Sequence, residues 1–291
     1  MIKRFAALAS AGLLVAVAAL VYTSGLAGAA TKPPTAAKGK VLQVQKADTS
    51  PALKDIQPVP ATAAPPAKVR QAPFKGRIGD PAGTDLAQAA PAPAAAAPGQ
   101  SGGGQQGPLS PPPVVNFEGL EFTDPVFPPD PNGAAGPNHF VEIVNTSFGV
   151  YSKTGTLLYG PAEISTLFAG FGGRCQTTNG GDPIVLYDRY ANRWLISQLA
   201  FNAPRIGAWS DFHQCVAVSA TSDPLGAYNR YDFLISQTLL NDYPKIAVWP
   251  DGYYLTFNQY RNCSGTGASC LWAGGGVVVM QRVRMVLGRP G

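Results

Sequence analysis

The sequence predicts an all-β protein built from a repeated unit and preceded by a long Pro/Ala-rich segment. Three observations support this fold class. One short motif recurs in the second half of the chain, runs rich in β-branched and aromatic residues surround each copy, and turn dipeptides separate the runs. Helix signals are sparse, so we expect strands to dominate the ordered part.

The first 29 residues are typical of an export signal. Lys3 and Arg4 form a basic start, an uncharged run rich in Ala, Leu and Val follows, and Ala27-Gly28-Ala29 provides small residues at a cleavage site. An uncleaved membrane anchor is the alternative, because the apolar run from 5 to 22 is barely long enough to span a bilayer. We expect cleavage, a secreted, cell-surface or periplasmic location, and no membrane span in the mature chain.

Residues 30–113 are expected to form a disordered linker. Residues 31–113 hold 16 of the 28 prolines and few large apolar side chains, which cannot offset the entropy of ordering. They also carry nine Lys/Arg against four Asp/Glu, whereas residues 114–291 carry 11 against 13. A folded basic surface for nucleic acid is therefore not predicted.

The repeated motif lies in residues 114–291. Each copy places an Asp before an extended run, at Asp130, Asp182 and Asp242, with spacings of 52 and 60 residues. Strand repeats of this length are typical of β-propeller blades, so we predict about three four-stranded blades. Closed propellers usually have about four to eight blades. The sequence thus predicts a partial propeller whose open edge strand could pair with another chain, and a β-sandwich is the alternative.

Four cysteines lie in the repeat region. An even number in a chain expected to be exported predicts two disulfides. Of the three possible pairings we prefer Cys175–Cys215 and Cys263–Cys270, because the second closes a short Ser/Gly-rich loop. A zinc site with four cysteines is the alternative, but the chain contains no Cys-x-x-Cys spacing.

Three stretches carry a resemblance to a known group of proteins. These are PPDPNGAAGPNH at 128–139, GDPIVLYDR at 181–189 and DYPKIAVWPDGYY at 242–254. Across residues 114–288 the chain resembles exported bacterial β-propeller proteins near the sialidase-like (BNR-type) propellers, which are mostly uncharacterised. The resemblance implies a propeller with further blades in longer relatives, and it implies no particular activity.

The recurring acidic residues suggest one candidate site. If the innermost strands carry Asp130, Asp182 and Asp242, their carboxylates converge on the central channel and could bind Ca²⁺. The alternative is that each Asp accepts hydrogen bonds within its own turn. No other cofactor is predicted.

Aromatic residues suggest a second candidate site. Trp209, Trp249, Tyr253, Tyr254, Tyr260 and Trp272 are numerous for so short a region, and exposed rings can stack on sugars. We therefore expect ligand contacts from a set of aromatic and polar side chains, namely Trp209, Trp272, Asn258, Tyr260 and Arg261. The alternative is that most of these aromatics fill the space between blades.

Catalysis is not favoured by the sequence. The chain has two histidines, no Gly-x-Ser-x-Gly motif, and no Ser-x-Asp-x-Gly-x-x-Trp blade signature of the sialidases. We therefore expect non-catalytic binding of an extracellular glycan or surface protein. A sialidase-like glycoside hydrolase and an adhesion or assembly module remain the alternatives.

Overall fold

The structure is a computed structural model that describes residues 39, 41–42, 44–60, 70–71, 114–121, 126–204, 206–265 and 270–290. The expected export signal and much of the expected linker lie outside these residues. The described elements, in chain order, are the strands β1 Val44–Ala52, β2 Arg70–Gln71, β3 Val126–Phe127, β4 Asn132–Ala135, β5 His139–Val144, β6 Ser147–Ser152, β7 Leu157–Glu163, β8 Ile184–Asp188, β9 Arg193–Asn202, β10 Ser210–Ser219, β11 Ala227–Ser236, β12 Leu239–Val248, β13 Gly252–Arg261 and β14 Leu271–Gln281, and the short helices α1 Gly173–Thr177 and α2 Arg282–Val286.

Three antiparallel sheets make up the all-β fold. The first has the order β4-β5-β6-β7, the second β1-β11-β10-β9-β8, and the third β12-β13-β14. Strands β4, β8 and β12 each lie at one edge of their sheet, and β8 contacts both β4 and β12. The three sheets thus bring these edge strands together. A further pair, β2 with β3, is parallel.

The second sheet is buried on both faces, which fixes the stacking of the three sheets. Side chains alternate along a strand, so Trp194 and Ile196 of β9 pack into the core shared with the first sheet. Leu195, between them, packs into the core shared with the third sheet, where Tyr253 and Leu255 of β13 are buried. Burial on both faces explains why β9 and β10 contain near-continuous apolar runs.

The prediction that all of residues 30–113 form a disordered linker is wrong for residues 44–52, which form strand β1. Residues 44–52 pair antiparallel with β11, and Leu53 is completely buried in the core. The guanidinium of Arg230 on β11 donates hydrogen bonds to both carboxylate oxygens of Asp48, at 2.8 and 2.7 Å. Order therefore begins well before residue 114, because the edge of β11 provides backbone partners that the local sequence does not reveal.

The segment after β1 covers a second sheet edge. The backbone N–H of Glu163 in β7 donates to the carbonyl of Val59 at 2.9 Å, and Pro60 forms a bridge with Ala162. The hydroxyl of Tyr159 donates to the carbonyl of Ile56 at 3.0 Å. Residues 44–60 thus line the outer strands of both the second and the first sheets.

A buried ion pair joins the second and third sheets. Asp188, at the end of β8, has no solvent exposure, and its carboxylate accepts hydrogen bonds from Arg282 at 2.6 and 3.1 Å. The Tyr253 hydroxyl of β13 adds a third at 2.8 Å, and the backbone N–H groups of Tyr190 and Ala191 also donate. Burial alone would raise the pKa of Asp188, but these hydrogen bonds outweigh it and hold that pKa below its ordinary value.

The two predicted disulfides are confirmed. Cys175 of α1 is bonded to Cys215 of β10, and Cys263 is bonded to Cys270. The first bond ties the segment between β7 and β8 to the middle of the second sheet. The second closes the loop between β13 and β14. An oxidising environment suits both bonds.

The predicted strand count per sheet is correct only for the first sheet. The second has five strands because β1 joins it, and the third has three among the described residues. In that part of the chain, no helix has the length and apolar character needed to cross a membrane.

Candidate functional site

A cavity of about 200 Å³ lies where the three sheets bring their edge strands together. Each sheet contributes one three-residue segment, located before or at the start of β4 and β8 and in the bulged middle of β12. The lining residues are Asp130, Pro131, Asn132, Asp182, Pro183, Ile184, Tyr243, Pro244 and Lys245. One copy of the sequence repeat therefore comes from each sheet.

The three segments share an unusual backbone. Asp130, Asp182 and Tyr243 have φ values of 39°, 46° and 50°, in the left-handed region, and each is followed by proline. This region is uncommon for residues other than glycine, especially for a bulky one such as Tyr. Such a residue costs about 1–3 kcal/mol and persists only where its surroundings enforce it. The cavity is thus ringed by three strained positions.

Hydrogen bonds between the segments enforce this geometry. The carboxylate of Asp182 accepts the backbone N–H of Tyr243 at 3.0 Å, which joins the second copy to the third. The side-chain oxygen of Asn132 accepts the N–H of Val185 at 2.8 Å, which joins the first copy to the second. The cavity wall is therefore one connected network across three sheets.

Asn145 joins the first two copies of the repeat through hydrogen bonds. This buried residue lies in the turn between β5 and β6. Its side-chain oxygen accepts the N–H of Asp182 at 2.9 Å, and its amide donates to the carbonyl of Pro128 at 3.1 Å. Gly181 has φ +84°, and the Asn145 amide fills the space that a Cβ would need there, so only glycine fits.

The cavity combines carboxylate, amide, aromatic and ammonium groups. The Nζ of Lys245 lies 3.1 Å from the centroid of the Tyr243 ring, which is about half exposed. Carboxylates and the amide can accept hydrogen bonds from ligand hydroxyls, lysine and the amide can donate, and an aromatic face can stack on an apolar ring face. This set suits a small, neutral, polyhydroxylated ligand.

Of the three residues predicted to bind calcium, Asp130 and Asp182 line the cavity, whereas the third copy contributes Tyr243 and not the neighbouring Asp242. Among the described residues, no group of three or more His, Cys, Asp or Glu side chains is placed to hold a metal ion. Two carboxylates beside the ammonium of Lys245 fit poorly to a cation that takes about six to eight oxygen ligands.

The predicted aromatic site is only partly exposed. Tyr260 is 7% exposed and packs in a small core with the Cys263–Cys270 disulfide, so the expectation of an open ring was wrong there. Trp209 is partly buried against the same core. Trp272 is 59% exposed, and Arg261 is exposed at the end of β13.

The remaining members of that set lie along the third sheet. Asn258 of β13 is opposite Gly275 of β14, and Tyr260 is opposite Trp272. These residues do not line the cavity formed by the three repeat segments. Ligand contact by Trp209, Trp272, Asn258, Tyr260 and Arg261 stays a prediction. Of the other expected exposed aromatics, Tyr253 is completely buried, whereas Trp249 and Tyr254 reach solvent.

A second, more open cavity of about 430 Å³ lies at the other end of β8. It is lined by Tyr187, Arg189, Tyr190 and Val248. Tyr190 is 59% exposed, and its ring lies 5.6 Å from the Arg282 guanidinium carbon. This cavity has one wall from each of two sheets and lacks the threefold repetition of the first.

Comparison with protein-family models, curated proteins and solved structures found no match for this chain. The resemblance to exported sialidase-like propellers therefore stays a prediction.

Three cavity residues with polar or charged side chains were missed from the sequence, namely Asn132, Tyr243 and Lys245. The available signal was the residue-proline pair that opens each copy, at 130–131, 182–183 and 243–244. Aligning on proline would have selected Tyr243 in place of Asp242. Asn145 carries no such signal, because its role depends on a turn folded against a distant strand.

Proposed function

We propose that this chain is an exported, β-propeller-type protein that binds an extracellular glycan, without catalysis, in the cavity formed by the three repeat segments. The observation that carries the proposal is the threefold repetition of a left-handed residue before proline, with all three copies lining one cavity. Strained backbone that recurs at one place is a mark of functional sites.

The arrangement of the sheets supports the propeller class. Three antiparallel sheets stack face to face, each contributes one edge strand to a common meeting point, and the strands of each sheet follow one another in the chain apart from β1. Propellers place ligand sites where their innermost strands converge. The two disulfides support the exported location.

The size of the cavity favours one sugar residue as the bound group. Its volume of about 200 Å³ is below the roughly 300–1,000 Å³ of sites for drug-sized ligands. A glycan could insert a single unit while the rest of the molecule lies across the surrounding surface. A surface protein, the other ligand class that the sequence leaves open, would need a larger contact area.

A glycan array probed with the labelled chain is the first test, followed by calorimetric titration of the best-bound glycan. Asp130→Asn and Asp182→Asn each remove one charge, and asparagine tolerates the left-handed backbone. A hydrogen bond to a charged group contributes about 1.5–3 kcal/mol, so each variant should weaken binding by roughly tenfold to hundredfold.

Asp251→Asn is the matched control. Asp251 is an exposed turn residue whose carboxylate accepts the Tyr254 hydroxyl at 2.9 Å, and it does not line the cavity. The Asp251→Asn variant should bind the glycan with the same affinity as the unmodified chain. The proposal is wrong if the array shows no bound glycan, or if both cavity variants bind as tightly as the control.

A glycoside hydrolase is the second candidate, because two carboxylates line one cavity and glycosidases commonly use such a pair. Incubation with chromogenic glycosides separates the two functions. Turnover that disappears in Asp130→Asn or Asp182→Asn would replace the binding proposal by the enzymatic one. Binding without turnover is the result that we expect.

A further inference from the structure

Strand β14 forms an open edge of the third sheet. It is 11 residues long and pairs with β13 on one side, and no described residue pairs with its other side. Several of its apolar side chains reach solvent, among them Trp272, Val277 and Val279, which are 59%, 72% and 54% exposed. Unpaired backbone groups and exposed apolar side chains therefore occur on the same strand.

The outer edges of the other two sheets are protected by this chain. Strand β1 covers β11, and Val59 and Pro60 cover β7. Strand β1, which becomes the new edge, carries Lys46, Asp48 and Pro51, and its pairing is irregular at both ends. Charges, proline and irregular pairing are the usual means by which proteins prevent edge-to-edge association.

Strand β14 has few of these protective features, because its pairing with β13 is irregular at only one place, between Trp272 and Gly274. From Leu271 to Met280 it contains no charged residue and no proline. A long, uncharged, apolar edge strand is a template for pairing with another strand. The contrast with the two protected edges favours pairing of this edge with another strand.

The sequence of β14 is complementary to itself. Three small residues, Ala273 to Gly275, lie on one side of Gly276, and three valines lie on the other. In an antiparallel pairing centred on Gly276, each valine of one copy lies opposite a glycine or alanine of the second. Nothing lies within 4 Å of the Cβ position of Gly275, so the space that such a valine needs is open.

From these observations we infer that β14 pairs antiparallel with β14 of a second copy, and that the two third sheets form one continuous six-stranded sheet. The pairing uses the same surface on both copies, so it closes at two chains. It satisfies the outer backbone groups of β14 and partly covers Val277 and Val279. This assembly is independent of the proposed glycan site.

Sedimentation equilibrium of the full chain, purified under oxidising conditions, tests the inference. We expect a reversible dimer at micromolar concentration and no larger species. Val277→Lys and Val277→Glu should each raise the dissociation constant by about tenfold or more, because residue 277 and its copy are diagonal neighbours in the pairing and like charges there repel. Mixing the two variants should restore a dimer.

Val283→Lys and Val283→Glu are the matched controls. Val283 is 56% exposed on α2, outside β14, so the same charge changes should leave the dimer unchanged. Near-UV circular dichroism checks that the folds are intact, which we expect because Val277 is 72% exposed. A monomer at all concentrations, dimers that persist in both Val277 variants, or a mixture that stays monomeric would each overturn the inference.

Discussion

Replacing Arg282 by methionine should destabilise the fold strongly. The side chains of Arg282 and Asp188 are 9% and 0% exposed, and the guanidinium donates two hydrogen bonds to the carboxylate and one to the carbonyl of Pro250. Methionine keeps much of the volume and removes all three bonds. The carboxylate of Asp188 then stays buried with fewer partners, and the polar link between the second and third sheets is reduced to the hydrogen bond from Tyr253.

The expected loss follows from the burial of the pair. Removing one partner of a buried ion pair costs about 3–5 kcal/mol, a large fraction of a typical domain stability of about 5–15 kcal/mol. We expect this loss in the free energy of unfolding at pH 7, measured by urea denaturation followed by circular dichroism. The hydroxyl of Tyr253 and two backbone N–H groups still contact Asp188, so the lower half of the range is expected.

The pH dependence provides a second readout. The folded-state pKa of Asp188 lies below its ordinary value, so its contribution to stability is complete above the unfolded pKa of about 3.9 and is lost as the pH falls through the folded pKa. Without Arg282, burial raises the pKa of this carboxyl, and protonation relieves the buried charge. The difference in stability between the two proteins should therefore shrink as the pH falls from 7 toward about 4.

Arg174→Met is the control. Arg174 lies 3.6 Å from Asp211, and the two side chains are 35% and 42% exposed. An exposed pair of this kind contributes at most about 1 kcal/mol. An Arg282→Met loss no larger than that of this control, or one that does not change with pH, would contradict the stabilising role of the buried ion pair.

Three further predictions concern the fold, each measured by urea denaturation. Leu53→Ala should cost about 2–5 kcal/mol, because this N-terminal side chain is completely buried; a loss below about 1 kcal/mol would show that residues 44–60 are not part of the core. Replacing both Cys175 and Cys215 by serine opens a loop of 40 residues and should cost about 4 kcal/mol, and an unchanged stability would contradict the chain-entropy account. Gly181→Ala should cost about 1–3 kcal/mol, because it forces a Cβ into a left-handed position beside Asn145, and a neutral effect would refute the strained geometry.

The local signals in the sequence were sufficient for the fold class. Short runs of β-branched and aromatic residues between turns form strands in the structure. The four cysteines form two disulfides with the preferred pairing. The first signal depends on residues that are close in the chain, and the second depends on the oxidation of paired cysteines. The recurrence of one motif also located the place where the three sheets meet.

Strand β1 could not be predicted from its own composition. Its sequence, VQKADTSPA, contains one large apolar residue, two charges and a proline, and it lies in a Pro/Ala-rich region. What orders it is the edge of β11, with Arg230 there positioned to bind Asp48. The two residues of this ion pair are 182 positions apart, so no local pattern could reveal it.

The candidate site shows why a recurring residue type can mislead. The sequence suggested three equivalent carboxylates, and the structure has two carboxylates and a tyrosine at equivalent positions. What the three copies share is a left-handed backbone before proline, a property of geometry rather than of charge. The bulge in β12 between Asp242 and Lys245 shifts the third copy by one residue and brings Tyr243 into the cavity.

Nuclear magnetic resonance titration with the bound glycan tests whether the three repeat segments form the ligand site. We expect the backbone amide signals of Asp130, Asp182 and Tyr243 to shift together with one dissociation constant, and those of Tyr190 and Trp272 to stay in place. Shifts confined to Tyr190 or to Trp272, at the second cavity or on the third sheet, would contradict the claim that the three repeat segments form the ligand site.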